Sequence, residues 1–139
     1  MLLLSEVEKA YIAGIVDGEG TVTLSRRQKN KTPSPEVSIA NCNLFLLQWI
    51  KKTLGMGRIM PKKKYSKKHR QSYTWRISST SKVLALFEEL KEFLIVKRTQ
   101  AELITGHYKK VTPRNGRYTE ILYKKKAALV SKVKKLNRR

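Results

Sequence analysis

The chain is poor in acid: among its 139 residues stand one aspartate, Asp17, and nine glutamates, against 31 lysines and arginines, for a formal charge of +21. A surface so one-sided attracts polyanions. Cysteine is scarcer still. The single Cys42 excludes an internal disulfide and any CxxC metal site, and a lone thiol beside apolar residues reads as packing. Two histidines, His69 in a basic loop and His107 near a helix end, are too few for a zinc site or a histidine-based nuclease centre. No apolar run approaches the roughly 20 residues needed to cross a membrane. Met1-Leu2-Leu3-Leu4 is also too short for the apolar core of a signal peptide, so an intracellular protein is expected. The length is that of one domain with room for a tail.

Where the acids are missing matters more than how few there are. Between Glu36 and Glu88 there is none, while eleven lysines and arginines, among them Arg58, Lys62, Lys64, Lys67 and Arg76, fall in that stretch. After Glu120 the chain again has no acid and eight basic residues, some of which a solvated helix face would explain. A membrane surface would call for such charges on an amphipathic helix. Here they lie mostly on strands and hairpin loops, so nucleic acid is the partner expected.

A coarse reading gives an alternating α+β order. Ser5 followed by Glu8 is a capping box that starts a helix over about residues 6 to 17. From Thr21 the period is two, with Val22 and Leu24 inward and Thr21, Thr23, Ser25, Arg27 and Lys29 outward. Residues 28–35 read as a hairpin loop, after which Val37 and Ile39 turn inward and Ser38 and Ala40 outward. Asn43 caps a helix over Leu44 to Leu54 that ends at Gly55. Gly57 to Lys64 and Gln71 to Ser78 form a second hairpin with Lys67 near its tip. Tyr73, Trp75 and Ile77 share one face, and Thr74 and Arg76 the other. Ser81 caps a helix through Leu90, another runs from about Thr99 to His107, and Thr119 caps a last one from Glu120 to about Leu136. Residues 1–108 form the core domain, and 109–139 a linker and basic C-terminal helix.

One segment carries chemistry. Residues 12 to 20 read Ile-Ala-Gly-Ile-Val-Asp-Gly-Glu-Gly, an apolar helix of small residues that runs into two carboxylates one glycine apart. Ala10, Gly14 and Gly18 recur every four residues, so one face has almost no side chains and a second helix can approach closely. A buried helix whose Asp17 caps a turn would account for the glycines alone. The attached Asp-Gly-Glu-Gly and the strand pattern after it favour a metal site facing a polyanion.

That nonapeptide resembles the signature of the LAGLIDADG homing endonucleases, in the variant ending Gly-Glu-Gly, and the resemblance extends from Ser5 to about Tyr108. It implies an αββαββα core whose four-stranded antiparallel sheet lies in the DNA major groove, plus a C-terminal helical extension. A single motif resembles the homodimeric branch, with Ala10, Ala13, Gly14 and Asp17 as motif and interface residues and a long pseudo-palindromic target. By position, Glu19 matches the metal-binding acid and Gly18 a residue whose carbonyl is a further ligand. Lys97 matches a lysine near the attacking water or phosphate, and Asn41 stands where a Gln or Asn contacts active-site water. Asp17 matches the acid that fixes the helix end. The basic residue that some members place just after the second strand, which ends at Asn41, has no clear counterpart, since Asn43 and Leu44 follow. The implied cofactor is Mg2+, with Mn2+ substituting and Ca2+ bound without cleavage.

The expected activity is site-specific, metal-dependent cleavage of double-stranded DNA by an intron-encoded enzyme, in an organelle or a prokaryotic cytoplasm. Thr23, Ser25, Arg27, Lys29, Ser38, Arg58, Lys62, Lys64, Lys67, Thr74 and Arg76 are the expected DNA contacts. The rival is a non-cleaving protein on the same fold, either an intron-splicing RNA maturase or a DNA-binding regulator.

Overall fold

The computed structural model describes residues 3–138; Met1 and Leu2 of the apolar start and the terminal Arg139 lie outside them. The capping box forms as its residues require: Ser5 Oγ accepts from Glu8 N–H at 3.1 Å and the Glu8 carboxylate accepts from Ser5 N–H at 2.9 Å. It starts helix α1, Glu6–Glu19, which continues past Asp17 and passes into strand β1, Gly20–Ser25, without a loop. Gly20 permits that junction, because a Cβ there would stand 2.8 Å from the Val16 carbonyl oxygen and 3.2 Å from that of Ser38.

Strand β2 spans Ser34–Asn41, and helix α2, Leu44–Leu54, follows. Asn43 caps α2 by accepting from Leu46 N–H at 3.1 Å, and Gly55 ends it with a left-handed φ of 69°. Strands β3, Arg58–Pro61, and β4, Tyr73–Ile77, form the second hairpin. Helices α3, Thr80–Leu90, and α4, Arg98–His107, come next, then a 3-10 turn at Lys109–Val111 and helix α5, Glu120–Asn137. No helix among the described residues is long and apolar enough to cross a membrane.

The sheet is antiparallel in the order β1-β2-β4-β3. One face buries Val22, Leu24, Val37, Ile39, Trp75 and Ile77 against Ile12 and Val16 of α1, Leu47 and Ile50 of α2, and Leu86 and Phe87 of α3. Trp75 anchors this core: it is fully buried and its Nε1 donates to the Met56 carbonyl at 3.1 Å. Replacing such a side chain by alanine costs about 3–5 kcal/mol. Its indole also dictates Gly57, where a Cβ would sit 2.1 Å from Trp75 Nε1.

Helix α5 runs along β1, the edge strand, where Asn137 Nδ2 donates to the Val22 carbonyl at 2.9 Å and Gln100 Nε2 holds the Asn137 oxygen at 3.1 Å. An edge that could pair with another chain is thereby covered. The other face of the sheet carries Thr21, Thr23, Ser38, Thr74, Arg76 and Arg58, all half-buried or exposed.

The α+β order matches the sequence reading, with local corrections. β1 ends at Ser25 and β2 begins at Ser34, so residues 26–33 form the turn and Arg27 and Lys29 leave the strand for the loop. Pro35 enters β2 opposite Leu24, beyond the stretch of β2 that pairs with β4, and its missing N–H falls where no ladder needs it. Ser79, not Ser81, precedes α3, because the Val83 N–H already bonds to the Ser79 carbonyl at 2.9 Å.

Candidate active site

The carboxy end of α1 gathers the acids. A helix C-terminus is the negative end of its dipole, and α1 has Asp17 and Glu19 there with no basic residue in its last turn. Asp17 is engaged by backbone: its two carboxylate oxygens accept from Ile95 N–H at 2.7 Å and from Lys97 N–H at 3.0 Å. The Lys97 ammonium donates to the Asp17 carbonyl oxygen, also at 3.0 Å. One carboxylate thus clamps residues 95–97 onto the helix end, and the backbone carbonyl of the same residue holds the Lys97 ammonium there.

Glu19 is left exposed. Its Oε2 accepts from Asn41 Nδ2 at 2.5 Å, while the Asn41 oxygen accepts from Asn43 N–H at 2.7 Å. That second bond fixes which way the amide points, with nitrogen toward Glu19 and oxygen away. Asn41 stands at the end of β2 and Glu19 at the end of α1, so the helix-to-strand junction at Gly20 brings them together.

Carboxylate and carbonyl oxygens are hard donors suited to a magnesium-type cation, which keeps several of its waters. Glu19 and the carbonyl of Gly18, among the last four of a helix that lack an intrahelical partner, have that chemistry. Among the described residues no three His, Cys, Asp or Glu side chains converge on one point. A single copy therefore supplies a fraction of a coordination sphere, and its donor set fits a cation held jointly with a second carboxylate, phosphate or water.

The exposed face of α1 has no neighbour in its own chain. Ala10, Gly14 and Gly18 are exposed, and a Cβ added at Gly14 or Gly18 would meet nothing within 4 Å. Packing within the chain gives no reason for glycine at either position. Val7 and Tyr11 beside this stripe, and Phe45 at the start of α2, expose 79%, 54% and 77% of their surface, so the bare face continues as an apolar one. Ala13, grouped with the stripe in the sequence reading, instead points into the core at 0% exposure. Each helical residue rotates by about 100°, which turns Ala13 toward Ile12 and Val16. Asp17 likewise faces residues 95–97 and not the open stripe.

On the uncovered face of the sheet, pairing aligns Thr21, Ser38, Arg76 and Arg58 in one row across four strands. Thr74 stands in a neighbouring row with Ala40 and Met60, and Thr23 lies opposite Glu36. Ser25 closes β1 opposite Ser34. Lys62 lies just past β3, its N–H bonded to the Ser72 carbonyl at 2.8 Å, and Lys64 and Lys67 are exposed in the hairpin loop. The strand reading thus holds for Thr23, Ser25, Ser38, Arg58, Thr74 and Arg76, while Arg27, Lys29, Lys62 and Lys64 belong to loops; Lys67 lies in the hairpin loop, as read. Sequence reasoning missed Glu36, which shares the parity of Ser38 and stands on the same face; starting β2 two residues earlier would have found it.

Residues 12–101 match the sequence model of the LAGLIDADG endonucleases. No curated protein matches the chain significantly. Among solved structures, the homing endonuclease I-CvuI in complex with its target superposes with a TM-score of 0.76 at 21% identity, covering 94% of this chain and 82% of that one. The archaeal intron-encoded homing endonuclease I-Vdi141I, complexed with DNA, gives 0.68 at 24% identity over 94% and 84% of the two chains. The meganuclease I-AabMI bound to uncleaved DNA gives 0.58 at 26% identity over 74% of this chain and 36% of that one. The fold is theirs, and the sequence match spans well over half of its length: the chain belongs to the LAGLIDADG endonuclease family.

Proposed function

We propose that the chain is a site-specific double-strand DNA endonuclease, encoded within a mobile intron and acting as a homodimer with a divalent cation, magnesium in the cell. Residues 1–108 are its endonuclease core and 109–139 its basic extension. The observation that carries this reading is the open end of α1, where Glu19, oriented by Asn41, adjoins a helix face of Ala10, Gly14 and Gly18 with no neighbour in its own chain.

A second α1 laid on that face brings two Glu19 carboxylates to the dyad. Their mutual repulsion, added to that of two helix dipoles, disfavours the empty arrangement and favours a bound cation. Glu19 and the Gly18 carbonyl would hold it; when bound, the cation stabilises charge on the phosphate and makes its water a stronger nucleophile. Asn41 keeps the Glu19 carboxylate from rotating away. Lys97 supplies a fixed positive charge at the same helix end, and Asp17 holds the backbone that carries it.

A two-stranded β-ribbon can enter the major groove and read base edges, and the polar face of this four-stranded sheet presents such strand pairs. Two such faces related by a twofold axis demand a pseudo-palindromic target. DNA is the partner found in the I-CvuI and I-Vdi141I structures. The deciding experiment incubates the protein with a supercoiled plasmid carrying the intron-less host locus. Linear product with magnesium or manganese, and binding without product in calcium, is expected. Tight binding with no cleavage in any of the three ions would point instead to a maturase or regulator on this fold.

A further inference from the structure

The four strands contain one acidic side chain, Glu36. It stands on the uncovered face, 18% exposed, and its carboxylate joins three strands: Oε2 accepts from Ser25 Oγ of β1, and Oε1 accepts from Arg76 Nε of β4 at 2.6 Å. Neither folding nor affinity explains a carboxylate there. An ion pair whose arginine is 45% exposed contributes little to stability. A negative charge on a face that receives a polyanion opposes binding by repelling phosphates and cancelling a cation. What the pair does supply is direction. Held through Nε, the Arg76 guanidinium is biased away from the nearest phosphate, and its Nη1 and Nη2 edge keeps two parallel donors, the pattern that guanine O6 and N7 accept.

We infer that Glu36 is a positioning residue for sequence reading: it aims Arg76 at the guanine of one G·C pair in each half-site and keeps that arginine off the phosphate backbone. This rests on the DNA-binding reading above and adds to it a base, a reader and the residue that orients the reader. Ser25 steadies the second carboxylate oxygen but stands on the side away from Arg76.

The test is selection from a duplex library randomised in both half-sites, using wild type, Arg76→Ala and Glu36→Gln, with far-UV circular dichroism to confirm that each variant is folded. Arg76→Ala and Glu36→Gln should lose preference at the same base pair, on the order of tenfold, with preference at the other positions kept. Glu36→Gln should also bind non-cognate DNA more tightly, with a salt dependence steeper by about one phosphate contact, because the freed arginine finds the backbone. A merely structural Glu36 would produce neither change. Wild-type preference in Glu36→Gln, or relaxation at a different base pair from Arg76→Ala, overturns the inference while leaving DNA binding intact. A wild-type protein that selects no duplex sequence overturns the DNA-binding reading, and this inference with it.

Discussion

Asn41 donates to Glu19 at 2.5 Å because its own oxygen is already taken by the Asn43 N–H at 2.7 Å. The amide therefore has one orientation available, and the exposed carboxylate meets a donor that holds it without neutralising it. An acid meant only to cap a helix would be satisfied by backbone, as Asp17 is. Glu19 is held by a neutral side chain and keeps its remaining lone pairs toward solvent.

Glu19→Gln should abolish cleavage and leave specific DNA binding nearly unchanged. Glutamine keeps the shape but loses the charge that holds a cation, and its amide can still meet Asn41 through its oxygen. Gel-shift affinity in calcium and plasmid linearisation in magnesium separate the two effects. Cleavage near the wild-type rate would remove Glu19 from the mechanism.

Gly14→Leu should yield a folded monomer. Nothing within its own chain lies within 4 Å of a Cβ at that position, and glycine in a helix interior is less stable than alanine by about 0.5–1 kcal/mol. The isolated subunit should therefore lose no stability, whereas a second helix can no longer approach. Sedimentation on cognate DNA, paired with thermal melts, reads both consequences. A Gly14→Leu protein that still sediments as a dimer and cuts at the wild-type rate would place the interface elsewhere.

The parts of this fold legible in sequence are those whose ends are chemically marked. Helix α2 begins at Asn43 and ends at Gly55, as read, because a side-chain cap and a left-handed glycine each leave one choice. The end of β1 has no such mark: Arg27 and Lys29 continue the alternation of Thr23 and Ser25, and only the pairing of Ser25 with Ser34 shows that the strand has stopped. Pro33 and Pro35 make Ser34 and Pro35, the first residues of β2, read as loop, so the alternation is read only from Val37 and passes over Glu36. At the site, Glu19 and its place at the helix end could be read from spacing. The bonds from Lys97 back to Asp17 join residues 80 positions apart, which no local pattern encodes.

That long-range clamp gives the third prediction. In Asp17→Asn an amide nitrogen replaces one of the two oxygens that accept from the Ile95 and Lys97 N–H groups. A hydrogen bond to a charged group contributes roughly 1.5 to 3 kcal/mol, and the sites are partly exposed, so a loss toward the lower end is expected in thermal melts. Because residues 95–97 carry Lys97, cleavage should fall more than stability or DNA affinity does. Unchanged kcat in a destabilised Asp17→Asn protein would show that Lys97 needs no clamp.

Helix α5 offers a pH-dependent signature. Lys126 is 3% exposed, its ammonium donates to Thr32 Oγ1 at 2.8 Å and to the Tyr118 hydroxyl at 2.7 Å, and it lies 4.8 Å from the Tyr108 ring centre. Burial opposes ionisation of Tyr118 and is the largest single influence. The hydrogen bonds from Lys126 and Thr32, with the charge of Lys126, together outweigh it and hold the phenol below its ordinary value of 10.0. The folded chain thus releases this proton more readily than the unfolded chain. As pH rises from the folded value toward 10.0, the unfolded state binds more protons and the pair adds stability; as pH falls through the folded value, that contribution disappears. The stability difference between wild type and Tyr118→Phe should widen with pH across that alkaline window. An ultraviolet titration should show one tyrosine ionising ahead of the others in wild type and not in Tyr118→Phe or Lys126→Met. A pH-independent difference, or an early-ionising tyrosine that survives both substitutions, would show that Lys126 does not hold the Tyr118 phenolate where α5 meets the β1–β2 turn.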